Sequence, residues 1–507
     1  MNRTEARQRI ASFPKGDMTA AFAAGVELLR ADHAELLLPI ARTLTRRFAN
    51  DSRCHQLLGL AARTAQDSAQ ALESFARAAE LAPGDPLIAN SHARAALEAG
   101  QPAVGLFERA IALAPQDGTL RLGHAAAMLH EGRATDAVEL LDALASANPL
   151  WIDGHRDAAH IRGQLGLDPY VTIQRAIASN PTSMDLHLLL AGTHLEALDH
   201  AGAREVIADA QRRTGDSHQL AVLAAHAASE CGEIADADRR FSAIDSTRSV
   251  SDASLYSRHL LRSGRAEAVP PLLEPLIEKD FNHLLWPYLS LAWRLTGDPR
   301  WDWLEGDQGL VGIYDLADVM GDAGALAAHV RSLHFAKQQP LDQSVRGGTQ
   351  TDGNLLLRTD PELRKLRRLI LKTVERHVAQ IPSFEVGHPT KLDHRAPLRI
   401  AGSWSVRLTD AGFHSDHVHG RGWISSALYL ALPESLGHGE QNDASANSGW
   451  LSIGECRDVV PALDPLRLIE PKVGRLVLFP STMWHGTRPF PSGERMTIAF
   501  DIARPTQ

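Results

Sequence analysis

Four ionisable side chains lie close together near the C-terminal end of the sequence. His414, Asp416, His417 and His419 fall within six consecutive positions of the stretch GFHSDHVHG. In a β-strand, residues i and i+2 point to the same face, so two of these side chains at a time can converge on one point. Imidazole pairs suit Fe, Zn, Cu or Ni, and a carboxylate beside imidazole is typical of non-haem iron. The stretch therefore predicts one half of a metal site.

A second stretch, GRLVLFPSTMWHGTRPFPSGERMTIAF, supplies groups that could complete this site. His485 would be the third ligand, and a set of three ligands leaves coordination positions open for a cosubstrate and O₂. Arg495 follows ten residues later, and Thr497 lies on the same face of the same predicted strand. An arginine inside a β-domain is costly unless it pairs with an anion, and a guanidinium beside a hydroxyl suits a carboxylate. We therefore predict a metal site next to a carboxylate clamp.

The spacing leaves the ligand set open. In one arrangement three histidines bind the metal: His417, His419 and His485. In the other, His414 and Asp416 join His485 in the two-histidine, one-carboxylate arrangement of non-haem iron sites. In a mixed arrangement, Asp416 lies outside the ligand set and orients a ligand histidine. Three histidines nearby have no predicted role and are expected to face solvent: His388, His394 and His438.

The elements around these residues have β character. One helix is predicted over 361–380, where leucines and isoleucine form a single apolar stripe. After it come short runs rich in β-branched and aromatic residues, separated by Pro and Gly. The predicted strands are 398–405, 423–432, 450–453, 474–479 and 496–502. Several short strands without intervening helices indicate a sandwich or a jelly roll.

The first half of the chain repeats itself. Alanine-rich stretches that end in proline recur with spacings of 32, 34 and 32 residues at four positions: Pro83, Pro115, Pro149 and Pro181. Small and large residues alternate at helical spacing within each period, as with Ala71, Phe75 and Ala78. A period of this length indicates a solenoid of helix pairs that bury a core by stacking.

The period and the small–large–small helix pattern resemble the tetratricopeptide repeat. The resemblance implies an all-α solenoid with about seven or eight repeats over residues 18–300, and a concave face that binds protein or peptide. We therefore expect the repeat array to occupy residues 1–300, with a cap and linker over 301–335 and a separate β-domain over 336–507.

Residues 336–507 resemble the 2-oxoglutarate- and Fe(II)-dependent oxygenases, in particular a bacterial and phage group. The motifs that carry the resemblance are HVHGRGWIS, GRLVLFPS, WHGTRPF and RMTIAFD. The family has a double-stranded β-helix, or jelly-roll, fold. The resemblance implies that Fe(II) is bound by three histidines and that 2-oxoglutarate binds beside them. The implied ligands are His417, His419 and His485, and the implied 2-oxoglutarate residues are Arg495, Thr497 and Tyr429.

Two features depart from the family pattern. Gly420 stands where proline usually follows the first histidine pair, and His419 occupies the position of the usual carboxylate ligand.

The expected function is a dioxygenase that hydroxylates a protein or peptide side chain presented by the repeats. Two alternatives remain: a non-catalytic scaffold with a degenerate oxygenase domain, and an oxygenase for a small molecule.

Composition excludes other classes. The net charge is −9 and the pI about 6.2, so no overall basic surface for nucleic acid is expected. No apolar run approaches the ~20 residues of a membrane span, and the N-terminal stretch lacks the apolar core of a secretory signal. The 3 cysteines are far apart in the sequence and form no metal-binding pair, which favours a reducing, cytoplasmic environment.

Overall fold

The structure is a computed structural model that describes residues 1–381, 384–393, 397–434, 436 and 447–505. A helical solenoid occupies the N-terminal half, and a curled antiparallel sheet occupies the C-terminal part. This confirms the predicted fold class, an all-α repeat array followed by a jelly-roll domain. Within the described part of the chain, no helix is long and apolar enough to cross a membrane.

The solenoid is built from helix pairs. Its helices are α1 (Arg3–Ala11), α2 (Met18–Arg30), α3 (Ala34–Arg47), α4 (Ser52–Thr64), α5 (Ser68–Leu81), α6 (Pro86–Glu98), α7 (Val104–Leu113), α8 (Gly118–His130), α9 (Ala134–Ala147), α10 (Ile152–Gln164), α11 (Val171–Ser179), α12 (Met184–Glu196), α13 (His200–Thr214), α14 (His218–Glu230), α15 (Ile234–Ser242), α16 (Val250–Arg262) and α17 (Val269–Leu273). From α2 onward, each pair begins 32 or 34 residues after the previous one, as the sequence period predicts.

Local sequence explains both the ends and the packing of these helices. Asp67 and Asp85 accept hydrogen bonds from backbone N–H groups of the first turns of α5 and α6, which satisfies donors that the helix leaves free. Phe75 is buried in the groove opposite Gly59, where a Cβ would lie 2.8 Å from the phenylalanine ring. The small residues therefore let neighbouring helices approach, and the large ones fill the space between them.

The segment after the helix pairs leads into the sheet. It contains α18 (Trp286–Thr296), α19 (Arg300–Glu305), β1 (Gly312–Asp315), α20 (Ala317–Met320) and α21 (Ala323–Ser332). Strand β1 pairs with a strand of the C-terminal sheet, and α21 packs against another. The segment 301–335, expected to be a cap and linker, therefore contributes an edge strand to that sheet. The domain limits themselves stay a prediction.

The C-terminal part consists of one helix and eight further strands. They are β2 (Val345–Gln350), α22 (Pro361–Val378), β3 (Ile400–His417), β4 (Gly422–Ala431), β5 (Leu451–Ile453), β6 (Arg467–Ile469), β7 (Arg475–Pro480), β8 (His485–Thr487) and β9 (Glu494–Ala503). The strand order is β1-β7-β4-β9-β3-β8-β5-β6, with β2 paired to β3. The predicted strands overlap β3, β4, β5, β7 and β9. The sequence did not predict the other four strands, β1, β2, β6 and β8, because none shows a sustained alternation of apolar and polar residues.

Strand β9 shows how the sheet separates two environments. Met496, Ile498 and Phe500 join the apolar core that is covered by α21 and α22. The alternate residues Arg495 and Thr497 point to the opposite face and line a pocket. The period-2 alternation of a strand thus puts a packed core on one side and polar groups on the other.

The sheet domain also contacts the repeats along one edge of the solenoid. The contacts are made by the turns that end the first helix of successive pairs. Arg399 pairs with Asp32 and Glu35, and the Gln66 side chain donates to the Ile400 carbonyl. The Thr359 N–H donates to the Ala99 carbonyl, and His130 lies 3.4 Å from Asp352. The Gln164 carbonyl accepts hydrogen bonds from the backbone N–H groups of Lys337 and Gln338.

Candidate metal centre

Three histidines meet in the interior of the sheet domain. One ring nitrogen from each of His417, His419 and His485 lies within 4.8 Å of the others. His417 ends β3 and is the register partner of His485, which begins β8. His419 lies beyond the end of β3, where its N–H donates to the Ser481 carbonyl at 2.9 Å. The expectation that both members of the first pair lie on a strand therefore holds for His417 only.

A hydrogen bond fixes the ring orientation of each histidine. Nδ1 of His417 lies 2.8 Å from the Ser415 carbonyl, and Nδ1 of His485 lies 3.0 Å from the Met483 carbonyl. Nδ1 of His419 lies 2.8 Å from a carboxylate oxygen of Asp501. Because carbonyl and carboxylate oxygens only accept, each Nδ1 must carry the proton. The lone pair is then on Nε2, which is the tautomer that binds a metal.

Burial keeps the imidazoles of His417 and His485 neutral. Desolvation lowers the pKa of His417 to about 3, with a further contribution from the neighbouring His419. Desolvation also holds the pKa of His485 well below its usual value, and His417 acts in the same direction. Neutral imidazole is the form that coordinates metal ions. The donor chemistry of the three rings therefore fits a divalent transition metal.

The alternative first pair is placed differently. The Asp416 carboxylate accepts three hydrogen bonds from Arg457, at 2.8 Å from the backbone N–H, 2.8 Å from Nε and 2.7 Å from Nη2. The His414 ring lies beside that of His417, with a centroid distance of 5.8 Å, and its Nδ1 is 3.0 Å from the Ser344 hydroxyl. The structure thus brings His414 next to the three histidines and directs Asp416 away from them. Gly486 permits this placement, because a Cβ there would collide with the Asp416 carboxylate.

The predicted carboxylate clamp lies in the same pocket as the histidines. Arg495 and Thr497 line it together with His417, His419 and His485. Thr497 is the register partner of Tyr429 on β4, and the Arg495 guanidinium lies 5.0 Å from the centre of the Tyr429 ring.

Arg495 is a buried cation without a counter-ion. It is 2 % exposed and makes no ion pair with any residue that the structure describes. Its Nε and the Tyr429 hydroxyl are buried atoms without a hydrogen-bond partner within the described ranges. Desolvation lowers the pKa of Arg495. An anion in the pocket would supply the missing charge and the missing acceptor.

Sequence reasoning missed two residues that support the histidines. Asp501 accepts a hydrogen bond from the Ser425 hydroxyl at 2.7 Å while it holds His419. The Ser344 hydroxyl lies between His414 and His417, 3.1 Å from Nε2 of the latter. Strand parity could have found Asp501, because it lies on the same face of β9 as Arg495 and Thr497. Ser344 precedes β2, and no local pattern marks it.

The solvent-facing prediction for His388 is wrong. The residue is 1 % exposed, its ring lies 4.7 Å from that of Trp303, and its Nδ1 accepts the N–H of Thr390 at 2.9 Å. Its backbone partners and an aromatic neighbour make burial possible, and desolvation lowers its pKa to about 4. His394 and His438 lie outside the described residues.

The fold and the pocket define a class of protein, a helical repeat array followed by a jelly-roll domain with a histidine cluster inside. Residues 402–501 match the family model described as "Putative 2OG-Fe(II) oxygenase", and residues 90–150 match the tetratricopeptide repeat model. The chain therefore contains a domain of the Fe(II)- and 2-oxoglutarate-dependent oxygenases, preceded by tetratricopeptide repeats. This family implies Fe(II), 2-oxoglutarate and O₂. A comparison with curated proteins gives no match.

Solved structures similar to the chain include proteins of both kinds. A Pseudomonas putida prolyl-4-hydroxylase is 17% identical and has a TM-score of 0.26; the match covers 39% of this chain and 94% of that one. HygX from Streptomyces hygroscopicus, with nickel and 2-oxoglutarate bound, is 14% identical with a TM-score of 0.27, covering 39% and 83%. YrrB, a TPR protein with an unusual peptide-binding site, is 15% identical with a TM-score of 0.29, covering 36% and 95%.

Proposed function

We propose that the chain is a 2-oxoglutarate- and Fe(II)-dependent dioxygenase that hydroxylates a side chain of a protein or peptide. The observation that carries the proposal is the joint occurrence, in one pocket, of three convergent histidines and a buried arginine that forms no ion pair with a described residue. The first group suits a divalent metal. The second suits a carboxylate. The oxygenase family match over 402–501 supports this combination of ligands.

In this proposal His417, His419 and His485 bind Fe(II) through Nε2. The Ser415 and Met483 carbonyls and the Asp501 carboxylate keep the rings oriented. Arg495 binds the distal carboxylate of 2-oxoglutarate, with Thr497 as a further donor and Tyr429 behind them. When bound, Fe(II), 2-oxoglutarate and O₂ supply the oxidising chemistry that hydroxylates a C–H bond. The protein contributes orientation, charge balance and exclusion of water.

Charge balance favours a dianion beside these histidines. Three neutral imidazoles leave the charge of a divalent metal uncompensated by its ligands, and Arg495 adds one more positive charge. The Asp501 carboxylate accepts a hydrogen bond from the His419 ring and so brings a negative charge next to one of the proposed ligands. A carboxylate behind a ligand histidine raises the basicity of that ligand. We propose that this arrangement substitutes in part for the carboxylate ligand of related iron sites.

We also propose that the repeats over residues 1–300 present the substrate to the domain over 336–507. Tetratricopeptide arrays bind proteins and peptides on their concave face, and residues 90–150 match that repeat. The array is therefore the part of the chain that would select the substrate. The segment 301–335 would join the two parts.

The test is turnover of 2-oxoglutarate by the full-length protein with Fe(II) in air. We expect succinate release that is stimulated by a peptide from a library and abolished in His485→Ala. Turnover stimulated only by small metabolites would replace the peptide proposal with a small-molecule oxygenase. If the wild type binds neither the metal nor 2-oxoglutarate, the result would contradict the enzymatic proposal and favour a scaffold.

A further inference from the structure

The end of the repeat array touches the sheet domain at the residues that flank the three histidines. We define the array end as residues 280–294. Its first turn is fixed by Asp280, whose carboxylate accepts the backbone N–H groups of Leu284 at 2.9 Å and Leu285 at 2.8 Å. It continues into α18, which is largely buried. The array end is therefore a rigid element rather than a loose connection.

Trp484, the residue before His485, is held by the array end. Its indole N–H donates to the Pro287 carbonyl at 3.0 Å in a buried hydrogen bond, and its ring lies 5.7 Å from that of Tyr288 at 73°. Trp484 belongs to the same apolar cluster as the buried leucines of α18. The backbone that carries His485 is thus attached to α18 by both packing and a hydrogen bond.

The residues around His419 are in contact with the same element. Val418, between His417 and His419, packs against that apolar cluster. Gly420, the residue after His419, approaches the array end so closely that a Cβ would lie 2.7 Å from the Asn282 carbonyl oxygen and 3.0 Å from a Leu284 methyl. Gly420 has no positive φ. Close approach, and not backbone conformation, therefore requires glycine here.

A third attachment reaches the histidines through Gly454, the residue that follows β5. The Arg294 guanidinium donates to the carbonyl oxygens of Gly454 and, at 2.8 Å, of Asp464. The Gly454 N–H in turn donates to the Trp484 carbonyl at 2.7 Å. Arg294 therefore braces the strand that lies behind His485.

We propose that the array end positions the metal ligands. It holds the segments that carry His417, His419 and His485 so that their rings lie at ligand distance from one another. Arg294 and the backbone of Asn282 and Pro287 act as positioning groups that touch no metal or substrate. Metal affinity then depends on how the last repeats are docked, so a partner that displaces them would weaken the site. The claim about affinity rests on the proposed function, whereas the claim about position does not.

The test compares Arg294→Met with Arg300→Met in the full-length protein. The two arginines are matched, since each stacks on a tryptophan ring: Arg294 on Trp301 and Arg300 on Trp293. Among the described residues, Arg300 forms ion pairs with Glu274 and Asp298, both inside the array. In the metal-free proteins, we expect Arg294→Met to raise hydrogen–deuterium exchange in segments 451–456 and 483–487, with the helices of the array unchanged. Arg300→Met should leave those segments as in the wild type.

Co(II) binding, followed by absorption, is the second readout. Substitution of residues that orient metal ligands lowers metal affinity about 10- to 100-fold. We expect a loss of Co(II) affinity in that range for Arg294→Met and a loss of less than about twofold for Arg300→Met. Equal exchange and equal affinity in the two variants would overturn the proposal.

Gly420→Ala and Trp484→Phe keep the proposal testable if Arg294→Met does not fold. Gly420→Ala should weaken Co(II) binding about tenfold and raise exchange at 282–285, and wild-type behaviour would contradict the proposal. Trp484→Phe keeps an aromatic ring but removes the N–H donor to the Pro287 carbonyl, so it should raise exchange at 483–487. If the wild type binds no Co(II), the proposed function fails, while the exchange comparison still decides whether the array end positions the histidines.

Discussion

The repeat array and the pocket of the sheet domain both bury histidines, but they use them differently. In the array, His155 and His187 are each 1 % exposed and lie 3.1 and 2.9 Å from the carbonyl of the proline six residues earlier, Pro149 and Pro181. Each such ring is isolated and tied to its own repeat. In the pocket, each histidine also has a carbonyl or carboxylate partner, yet one nitrogen from each of the three rings lies within 4.8 Å of the others. Burial alone thus does not mark a candidate metal site, whereas convergence of ring nitrogens does.

The same contrast holds for arginine. Arg258 and Arg262 in the array share the carboxylate of Glu230, at 2.7 Å each. Arg495 is at least as buried and has no such partner among the described residues. A buried charge that lacks a partner is costly, and such costs are retained where function needs them. The difference indicates that the pocket, and not the array, is the part of the molecule organised around a small charged ligand.

The sequence predicted the array better than the pocket. Each helix pair depends on local signals, such as the Asp67 cap and the spacing around Phe75, so the period and the helix positions could be predicted. The pocket residues 414, 417, 419, 485, 495 and 497 could be predicted because strand parity and sequence spacing are also local signals. The placement of Asp416 on Arg457 could not be predicted, because it depends on a loop 41 residues away. The contact between Gly420 and Asn282 lies beyond local patterns for the same reason.

The largest effect on stability is expected from the core of the array. Phe107→Ala removes a fully buried ring that fills the groove between neighbouring helices. We expect the free energy of unfolding to fall by about 3–5 kcal/mol, measured by urea denaturation. Co(II) affinity of the protein that remains folded should not change, because Phe107 is far from the array end in sequence and in the stack of repeats. A loss of metal affinity without a loss of stability would break the comparison between the two regions.

In the pocket, we expect a substitution that weakens ligand binding and raises the free energy of unfolding. Arg495→Met should weaken 2-oxoglutarate binding by about 2–4 kcal/mol, because a buried carboxylate would lose its counter-ion. It should also raise the free energy of unfolding of the ligand-free protein, since a buried unpaired charge is removed. Calorimetric titration and denaturation measure the two effects. Arg407→Met is the matched control on β3, because Arg407 pairs with Glu494 outside the pocket. A stability loss in Arg495→Met that exceeds that of the control would contradict this account.

Glu305, at the end of α19 and just beyond the array end, is a buried carboxyl outside the pocket. Its carboxyl is buried and receives a hydrogen bond from the Ser290 hydroxyl, and desolvation raises its pKa to about 7. The folded state therefore holds the proton more tightly than the unfolded state. Its stabilising contribution is complete below the unfolded pKa of ~4.3 and is lost as the pH rises through about 7. Glu305→Gln should remove a decline on the order of 2–3 kcal/mol between pH 4.5 and 7.5. Unfolding free energies with the same pH slope in both proteins would show that Glu305 does not titrate in this way.

Metal affinity of His419→Ala and Asp416→Asn is the most direct test of the central claim, that three histidines form the metal site. The two residues are three positions apart, and both are held by hydrogen bonds to other parts of the sheet domain. We predict that anaerobic Co(II) titration of His419→Ala shows an affinity loss greater than about 100-fold, while Asp416→Asn, which changes a group behind the ligands, loses less than that. Retained affinity in His419→Ala together with loss in Asp416→Asn would contradict the claim and establish the two-histidine, one-carboxylate set.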